Sequence, residues 1–391
     1  MVPGIMRAGS LMDPRDRLLS LVLIGLSTYM LVALLTSTVF WDLIGQVAGP
    51  HTDLTVYRMR GDLLLEGKLP YDDFQCESPP LVILFFVLPQ LAGGSPAAYS
   101  VEFGAIAMIM GLLVYFILRS RPGMAYASAL LIMLSPATWI TGSILLQDEV
   151  IVALFYLIPI LILARGMRDL SSGLIVLGSL TKVYSAFITP LVLFRDGDWR
   201  ERVRHLLIMF AIGGLILLPL AIADIGATVT FLEFYINQSA SDLTTGISLW
   251  HFLYQAGIEV PTSLLTGAML AGVGLIWFLS WWRRMDPLLS GFLLILPFLL
   301  FFPKIHEPYY LFPAVFMCIF ATRRERYFWL GALAFVLALV SSMFCLPVGG
   351  GDPVVPLEGA QLLLPICITL GVYGILVYTA WSQLGERELL S

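Results

Sequence analysis

The chain of 391 residues is 59% hydrophobic and only 13% charged, with a formal net charge of −5. Soluble domains carry about 25% charged residues, so this composition excludes an ordinary soluble enzyme and indicates a protein that lies largely in a membrane. The acidic balance, with no basic patch interleaved with aromatic residues, gives no reason to expect nucleic acid as a partner.

Apolar runs of about 20 residues have the length of a membrane-crossing helix, whereas barrel strands are shorter and alternate in polarity. We therefore predict an all-α polytopic protein, one module over 1–391, with about 11–13 transmembrane or half-spanning helices and no separate soluble domain. The first run exceeds the about 7–15 residues of a signal-peptide core, so it is predicted to remain as a span. The predicted segments are 18–41, 80–92, 98–118, 123–141, 150–164, 172–181, 184–194, 205–223, 261–281, 287–303, 308–321, 327–344 and 359–381.

Basic residues predict the orientation, because cytoplasmic loops carry the excess of Lys and Arg. They place the N-terminus in the cytoplasm, in a plasma (cytoplasmic) membrane. The segment 80–92 is then a half-span, and 172–194 is a helical hairpin with Lys182 at its outer tip. A full crossing by 80–92 is the alternative and would invert the orientation of the later segments. The basic residues left on the outer side are Arg58, Arg60, Lys68, Lys182 and Lys304.

Acidic residues crowd the predicted first external loop, 42–79, which includes a predicted helix over 54–66. Asp53 precedes that helix, where a carboxylate either caps free backbone N–H groups or, held above an apolar bundle, acts as a general base. Asp62 and Glu66 lie four residues apart and fit a solvated helix face. Arg58 and Arg60 fit either anchors to lipid headgroups or reserve cations for phosphate.

Other predicted outer turns carry further polar residues. They are the turn at Gln147-Asp148, the tip at Lys182, the turn Lys304-Ile305-His306-Glu307 and a second large loop, 224–260, which contains His251. A lysine in an apolar stretch is unfavourable unless it has a partner or reaches the interface. Asp148 could orient a lysine, hold substrate hydroxyls or cap the next helix.

Metal and cysteine chemistry are less well supported by the sequence. Oxygen ligands for Mg²⁺ or Mn²⁺ could come from Asp148-Glu149 or Asp72-Asp73, but no cofactor is expected to be required. The four cysteines lack CxxC spacing. Cys76 and Cys345 are both expected in external loops, so a disulfide between them is an open alternative.

Four motifs follow one another along the chain. They are Asp53…Tyr57…Gly67-x-x-Pro70-Tyr71-x-Asp73-Phe74…Glu77-x-Pro79-Pro80, Gln147-Asp148, Gly178-x-x-Thr181-Lys182 and Lys304-x-His306-Glu307-x-Tyr309-Tyr310. Taken in order, these motifs resemble the GT-C superfamily of integral membrane glycosyltransferases, and are closest to the family 87 polyprenol-phosphate-mannose-dependent mannosyltransferases. Two features depart from the family pattern: no Gly precedes Gln147, and no large soluble C-terminal domain follows, which makes oligosaccharyltransferases poor analogues.

The resemblance implies a GT-C type bundle with its active site on the extracytoplasmic face. It implies inverting transfer of a hexose, expected to be mannose, from a polyprenyl- or dolichyl-phosphate donor to a glycan, glycolipid or protein acceptor of the cell envelope. Asp53 would be the catalytic base, and the donor phosphate would be bound by Lys182, Lys304, His306 and Arg58. Substrate contacts would come from Tyr57, Tyr71, Glu77, Gln147, Asp148, Glu307, Tyr309 and His251. The alternatives are a multi-span secondary transporter and a non-catalytic protein that binds a lipid carrier.

Overall fold

The computed structural model describes residues 1–43, 53–194, 198–226, 228–229, 245–345, 357 and 359–385. Within these residues five helices are long and apolar enough to cross a membrane, and a sixth is added if one pair bent by 46° counts as a single span. The prediction of an all-α, multi-span membrane protein is therefore confirmed, whereas the GT-C arrangement stays a prediction. The five helices are Pro14–Leu43, Pro96–Leu118, Trp199–Ala223, Thr262–Trp282 and Gly359–Leu384.

The chain starts with a helix that the sequence did not predict, α1 (Val2–Leu11). The first predicted span follows as α2 (Pro14–Leu35), which continues as a π-helical turn, Thr36–Phe40. Asp13 caps α2 by accepting a hydrogen bond from the backbone N–H of Arg15, and Pro14 occupies a first-turn position where its missing N–H is not needed. Local capping chemistry therefore sets where α2 begins.

The loop predicted to be the first external one contains a helix, as predicted, and this helix, α3, spans Asp53–Leu65. After it come two short helices, α4 (Pro80–Phe85) and α5 (Val87–Leu91), and then the long α6 (Pro96–Leu118). Together α4 and α5 are shorter than the about 20 residues that a crossing requires, which fits the predicted half-span. Residues 44–52 of the predicted loop lie outside the described residues.

Helices of the middle of the chain are broken at prolines. Ser135 separates α7 (Pro122–Leu134) from α8 (Pro136–Trp139), and a π-helical turn, Ile140–Ile144, follows. A proline removes a helical hydrogen bond and clashes with the preceding turn, which explains the break. The next elements are α9 (Glu149–Ala164), α10 (Arg168–Ser179), a 3₁₀ helix (Val183–Ile188) and α11 (Thr189–Phe194). The last two pack back against α10, which fits the predicted hairpin.

The remaining chain adds peripheral and central helices. Two short strands, β1 (Thr245–Gly246) and β2 (Lys304–Ile305), pair in parallel and join the second large loop to the turn after Phe301. Residues 227 and 230–244 of the predicted loop 224–260 lie outside the described part of the chain. The helices are α12 (Trp199–Ala223), α13 (Leu249–Gln255), α14 (Thr262–Trp282), α15 (Pro287–Phe301), α16 (Leu311–Phe320), α17 (Arg326–Ser342) and α18 (Leu363–Leu384), with 3₁₀ turns at Glu307–Tyr310 and Gly359–Leu362.

The core centres on α9, which is buried along almost its whole length against α15 and α16. Gly291 allows the closest approach, because a Cβ atom there would lie 2.3 Å from the side chain of Ile160. The Tyr156 hydroxyl donates to the Gly291 carbonyl at 2.9 Å. This packing holds the N-terminus of α9, where Asp148 and Glu149 lie.

Candidate functional site

A buried ion group lies where the α8–α9 turn meets the hairpin tip. The Lys182 Nζ atom is 3.0 Å from Asp148 Oδ1 and also pairs with Glu149. Asp148 occupies the N-cap position of α9, yet its side chain caps no backbone N–H; it binds the lysine instead. Of the three roles open to Asp148 from the sequence, the structure supports that of orienting a lysine.

Two backbone features bring these side chains together. Leu146 adopts a left-handed conformation, φ 53°, which is strained for a residue with a side chain and turns the chain sharply before Gln147. Gly178 lies so close to Ser185 that a Cβ atom would stand 2.5 Å from its hydroxyl. The tip of the hairpin is therefore tight, and Lys182 leaves it in an extended conformation.

Asp53 begins α3 and faces this ion group. Its side chain is open to solvent, but desolvation by the surrounding segments and then the charge of Asp148 raise the pKa of its carboxyl. A hydrogen bond from the Gln147 side chain and the charges of Lys182 and Arg60 oppose that rise. A carboxylate with a raised pKa and one hydrogen bond that fixes its orientation is what a general base requires.

Tyr57 connects α3 to the same turn. Its hydroxyl accepts the backbone N–H of Asp148 at 3.4 Å, and its ring stacks on Phe86 with centroids 4.2 Å apart. Tyr57 is one helical turn after Asp53, so both side chains point to the same side of α3. The aromatic contact and the hydrogen bond fix the position of α3 relative to the N-terminus of α9.

A second group of side chains comes from the turn after α15. Gly246 in β1 has φ 72°, and a Cβ atom there would lie 2.1 Å from the Ile305 carbonyl oxygen, so the β1–β2 pairing requires glycine. Desolvation, and then the charges of Lys182, His251 and Lys304, lower the pKa of His306 to about 4. Although part of its ring is exposed, His306 is neutral at pH 7.

Tyr309 joins the two groups. Its ring centroid is 5.6 Å from the Lys182 Nζ atom and 6.0 Å from the ring centroid of His306. The charge of Asp53 also reaches Glu307. His251 on α13 contacts Gln255, with their nitrogens 2.9 Å apart, and its charge acts on His306. The predicted residues from four separate turns therefore converge on one end of the bundle.

Three other predicted residues make contacts within the loop 53–95. Arg58 donates to the Gly94 carbonyl at 2.5 Å, which directs it to the α5–α6 turn. The Tyr71 hydroxyl donates to the Ser78 carbonyl at 2.6 Å, and Glu77 accepts a hydrogen bond from an arginine, so both hold the shape of the loop. None of these contacts brings Arg58, Tyr71 or Glu77 to Lys182.

Arg60 lies on the same side of α3 as Asp53 and Tyr57. It is buried, donates to Glu77 at 2.5 Å and to the Ser78 hydroxyl at 2.9 Å, and its charge acts on Asp53. The spacing of Asp53, Tyr57 and Arg60, four and then three residues, marks one helix face. That signal was present in the sequence and identifies Arg60, because Arg58 falls on another face.

Metal and disulfide alternatives can be placed on the structure. Among the described residues, no three His, Cys, Asp or Glu side chains converge in a way that could hold a metal ion. Asp73 accepts the backbone N–H of Leu69, and Asp72 is exposed. Cys76 and Cys345 are both free thiols, so the alternative of a disulfide between them is not realised.

Comparisons of the sequence with known proteins identify no relative. No protein-family model matches the chain, and no curated protein matches it. The geometry and chemistry of the site are therefore the basis for a proposed function.

Proposed function

We propose that this protein is an inverting membrane glycosyltransferase that moves a hexose, expected to be mannose, from a polyprenyl-phosphate donor to an extracytoplasmic acceptor. The observation that carries the proposal is the position of Asp53. It is a carboxylate with a raised pKa that is oriented by Gln147 and faces the Asp148–Lys182 pair at one end of an apolar bundle. The resemblance to GT-C enzymes, which the sequence motifs suggested, supplies the reaction class.

In the proposed reaction Asp53 takes the proton of an acceptor hydroxyl group. At the same time, the oxygen of that hydroxyl group attacks the anomeric carbon of the donor sugar. The bond between that carbon and the phosphate oxygen breaks on the opposite side, and polyprenyl phosphate leaves with the electron pair. A single displacement with one base inverts the anomeric carbon. The proton stays on Asp53 until a solvent molecule removes it. The side chain of Asp53 is exposed, so solvent can reach it.

The charges of the site decide which residues fit the phosphate. Lys182 already pairs with both Asp148 and Glu149, so this group carries no surplus positive charge. A departing phosphate needs donors and cations that are not already neutralised. Lys304 and the neutral N–H of His306, whose ring centroid lies 6.0 Å from that of Tyr309, meet that need better. We therefore assign the phosphate to Lys304 and His306, and assign to Lys182 the positioning of the turn that holds Gln147.

One observation favours a different class of protein. A lysine between two buried carboxylates, beside the broken helices α7 and α8, is also an arrangement that secondary transporters use for coupling ions. Transport would move a solute across liposomes without forming a glycosidic bond. A protein that only binds the lipid carrier would do neither.

An assay that follows the sugar separates these functions. Purified protein in liposomes receives polyprenyl-phosphate-[¹⁴C]mannose together with envelope glycolipids, and the labelled products are then analysed by chromatography. The proposal predicts label in a glycosidic product that Asp53→Asn abolishes and Asp62→Asn leaves unchanged. Asp62 is the matched control because it is an exposed aspartate of the same helix. Uptake of a solute with no labelled product would contradict the proposal and support transport.

A further inference from the structure

A small pocket lies where the end of α14 and the start of α15 meet α11. The space in it for a water-sized sphere is about 10 Å³, close to the minimum that holds one water molecule. The start of α15 is far from Lys304, which follows the other end of that helix, because its 15 residues span about 22 Å. The pocket is therefore separate from the residues proposed to bind the donor phosphate. Its lining includes Pro190, Leu191, Trp277, Ser280, Met285 and Ser290.

Two serine hydroxyls in this lining have no hydrogen-bond partner within the part of the chain that the structure describes. They belong to Ser280 of α14, which is 5% exposed, and to Ser290 of α15, which is 0% exposed. The backbone groups of the two residues are already paired: the Ser280 carbonyl accepts the N–H of Met285 at 3.0 Å, and the Ser290 N–H donates to the Asp286 carbonyl at 2.9 Å. A buried hydroxyl without a partner is unfavourable, and the large majority of such groups in proteins are paired with protein or with ordered water.

Two other polar side chains near the pocket are engaged by the backbone. The Trp277 Nε1 atom donates to the Phe187 carbonyl at 2.7 Å. The Asp286 carboxylate accepts the N–H of Leu288 at 2.7 Å and so caps the start of α15. These bonds direct the indole and the carboxylate away from the two serine hydroxyls, which give the pocket a polar lining beside the apolar Pro190 and Leu191.

We propose that this pocket binds one water molecule, which bridges the hydroxyls of Ser280 and Ser290 and so links α14 to α15. Each hydroxyl can both donate and accept a hydrogen bond, and a buried water needs about two to four polar partners, which the two serines can supply. The volume leaves no room for a lipid headgroup, whereas a wholly apolar pocket of this size would stay dry. The bound water is independent of the proposed sugar transfer.

A double-mutant cycle tests the bridge. The melting temperature of the detergent-solubilised full chain is measured for Ser280→Ala, Ser290→Ala and the double variant. Each single substitution breaks the same bridge, so the double variant should melt about 2 °C higher than the sum of the two single shifts. The control pairs Ser280→Ala with Ser263→Ala, at an exposed serine of the same helix, and should be additive. Additive shifts for Ser280→Ala and Ser290→Ala would overturn the proposal.

A second measurement separates a bridging water from a direct bond between the two hydroxyls. The protein is equilibrated in H₂¹⁸O and exposed to a short X-ray pulse, which turns bound water into hydroxyl radicals that oxidise adjacent side chains. Mass spectrometry then follows ¹⁸O uptake at Met285 in the pocket and at the exposed Met343. Uptake at Met285 should fall in Ser280→Ala/Ser290→Ala, because the pocket becomes apolar, while uptake at Met343 stays the same. Equal uptake at Met285 in wild type and the double variant would overturn the water assignment.

Discussion

The Lys182 ammonium lies 3.0 Å from Asp148 and also pairs with Glu149, so one cation is shared by two carboxylates at the N-terminus of α9. All three side chains are at most 15% exposed. The lysine comes from the α10 hairpin and the carboxylates from the α8–α9 turn. The ion group therefore fixes the position of Gln147, which in turn orients Asp53.

Removal of Lys182 tests this positioning role. Lys182→Met leaves two buried carboxylates uncompensated, and breaking such a pair costs about 3–5 kcal/mol. We expect a large fall in the melting temperature of the detergent-solubilised protein. Lys68→Met, at an exposed site, is the control and should change it little. If the triple variant Lys182→Met/Asp148→Asn/Glu149→Gln is no more stable than Lys182→Met, the ion group is not what stabilises the turn.

The pH dependence of sugar transfer tests the proposed role of Asp53 as the general base. The base acts only when deprotonated, so kcat/KM rises with pH through the pKa of Asp53, and desolvation and Asp148 place that rise at higher pH than for an ordinary aspartate. Gln147→Ala removes a hydrogen bond that lowers this pKa and should move the rise to higher pH still. Gln75→Ala, at an exposed glutamine between α3 and α4, should leave the profile unchanged. A Gln147→Ala profile identical to that of wild type would argue against the hydrogen bond.

Substitutions of Arg60 and Arg58 are predicted to differ in their effect on the rate of sugar transfer. Arg60→Gln removes a buried charge that acts on Asp53 and frees Glu77, so we expect sugar transfer to fall at least about tenfold, the cost of losing a charged hydrogen bond. Arg58→Gln removes a contact to the Gly94 carbonyl and should have a smaller effect on rate. Initial rates at saturating donor compare the two. A larger loss for Arg58 would restore it to the site.

The β1–β2 contact is predicted to depend on Gly246. Gly246→Ala places a methyl group against the Ile305 carbonyl in a left-handed conformation, so it should destabilise the fold by about 1–3 kcal/mol and displace His306. Gly267→Ala is the control, because it lies in a helix with open space around it and should stabilise slightly. Thermal unfolding compares the two variants. Equal stability would show that the strand pairing tolerates a side chain there.

Much of this architecture could be predicted from the sequence, because long apolar runs and the positions of Pro and Gly indicate helices and their breaks. The helix α1 was missed because its short run lacks the length of a span. The ion group was only partly anticipated: the sequence indicated a partner for Lys182, but the turn at Leu146 and the tight approach at Gly178 decide which carboxylates it meets. Those are properties of packing, which the sequence pattern does not show.

The choice between Arg58 and Arg60 shows how a helix face can decide a site. Both are basic and two residues apart, and the sequence left either of them as a reserve cation for phosphate. Once α3 is given its observed start at Asp53, the spacing places Arg60, and not Arg58, on the helix face of Asp53 and Tyr57. The position of a residue around the helix axis was therefore more informative about its neighbours than its distance along the sequence.

The most direct measurement is the rate of mannose transfer from polyprenyl-phosphate-mannose by purified Asp53→Asn protein in liposomes, beside wild type and Asp62→Asn. Loss of a general base lowers the rate by about 10²–10⁴-fold, and the amide keeps the size of the side chain so that folding is preserved. We predict that loss for Asp53→Asn alone. Full transfer by Asp53→Asn would contradict the assignment of Asp53 as the base.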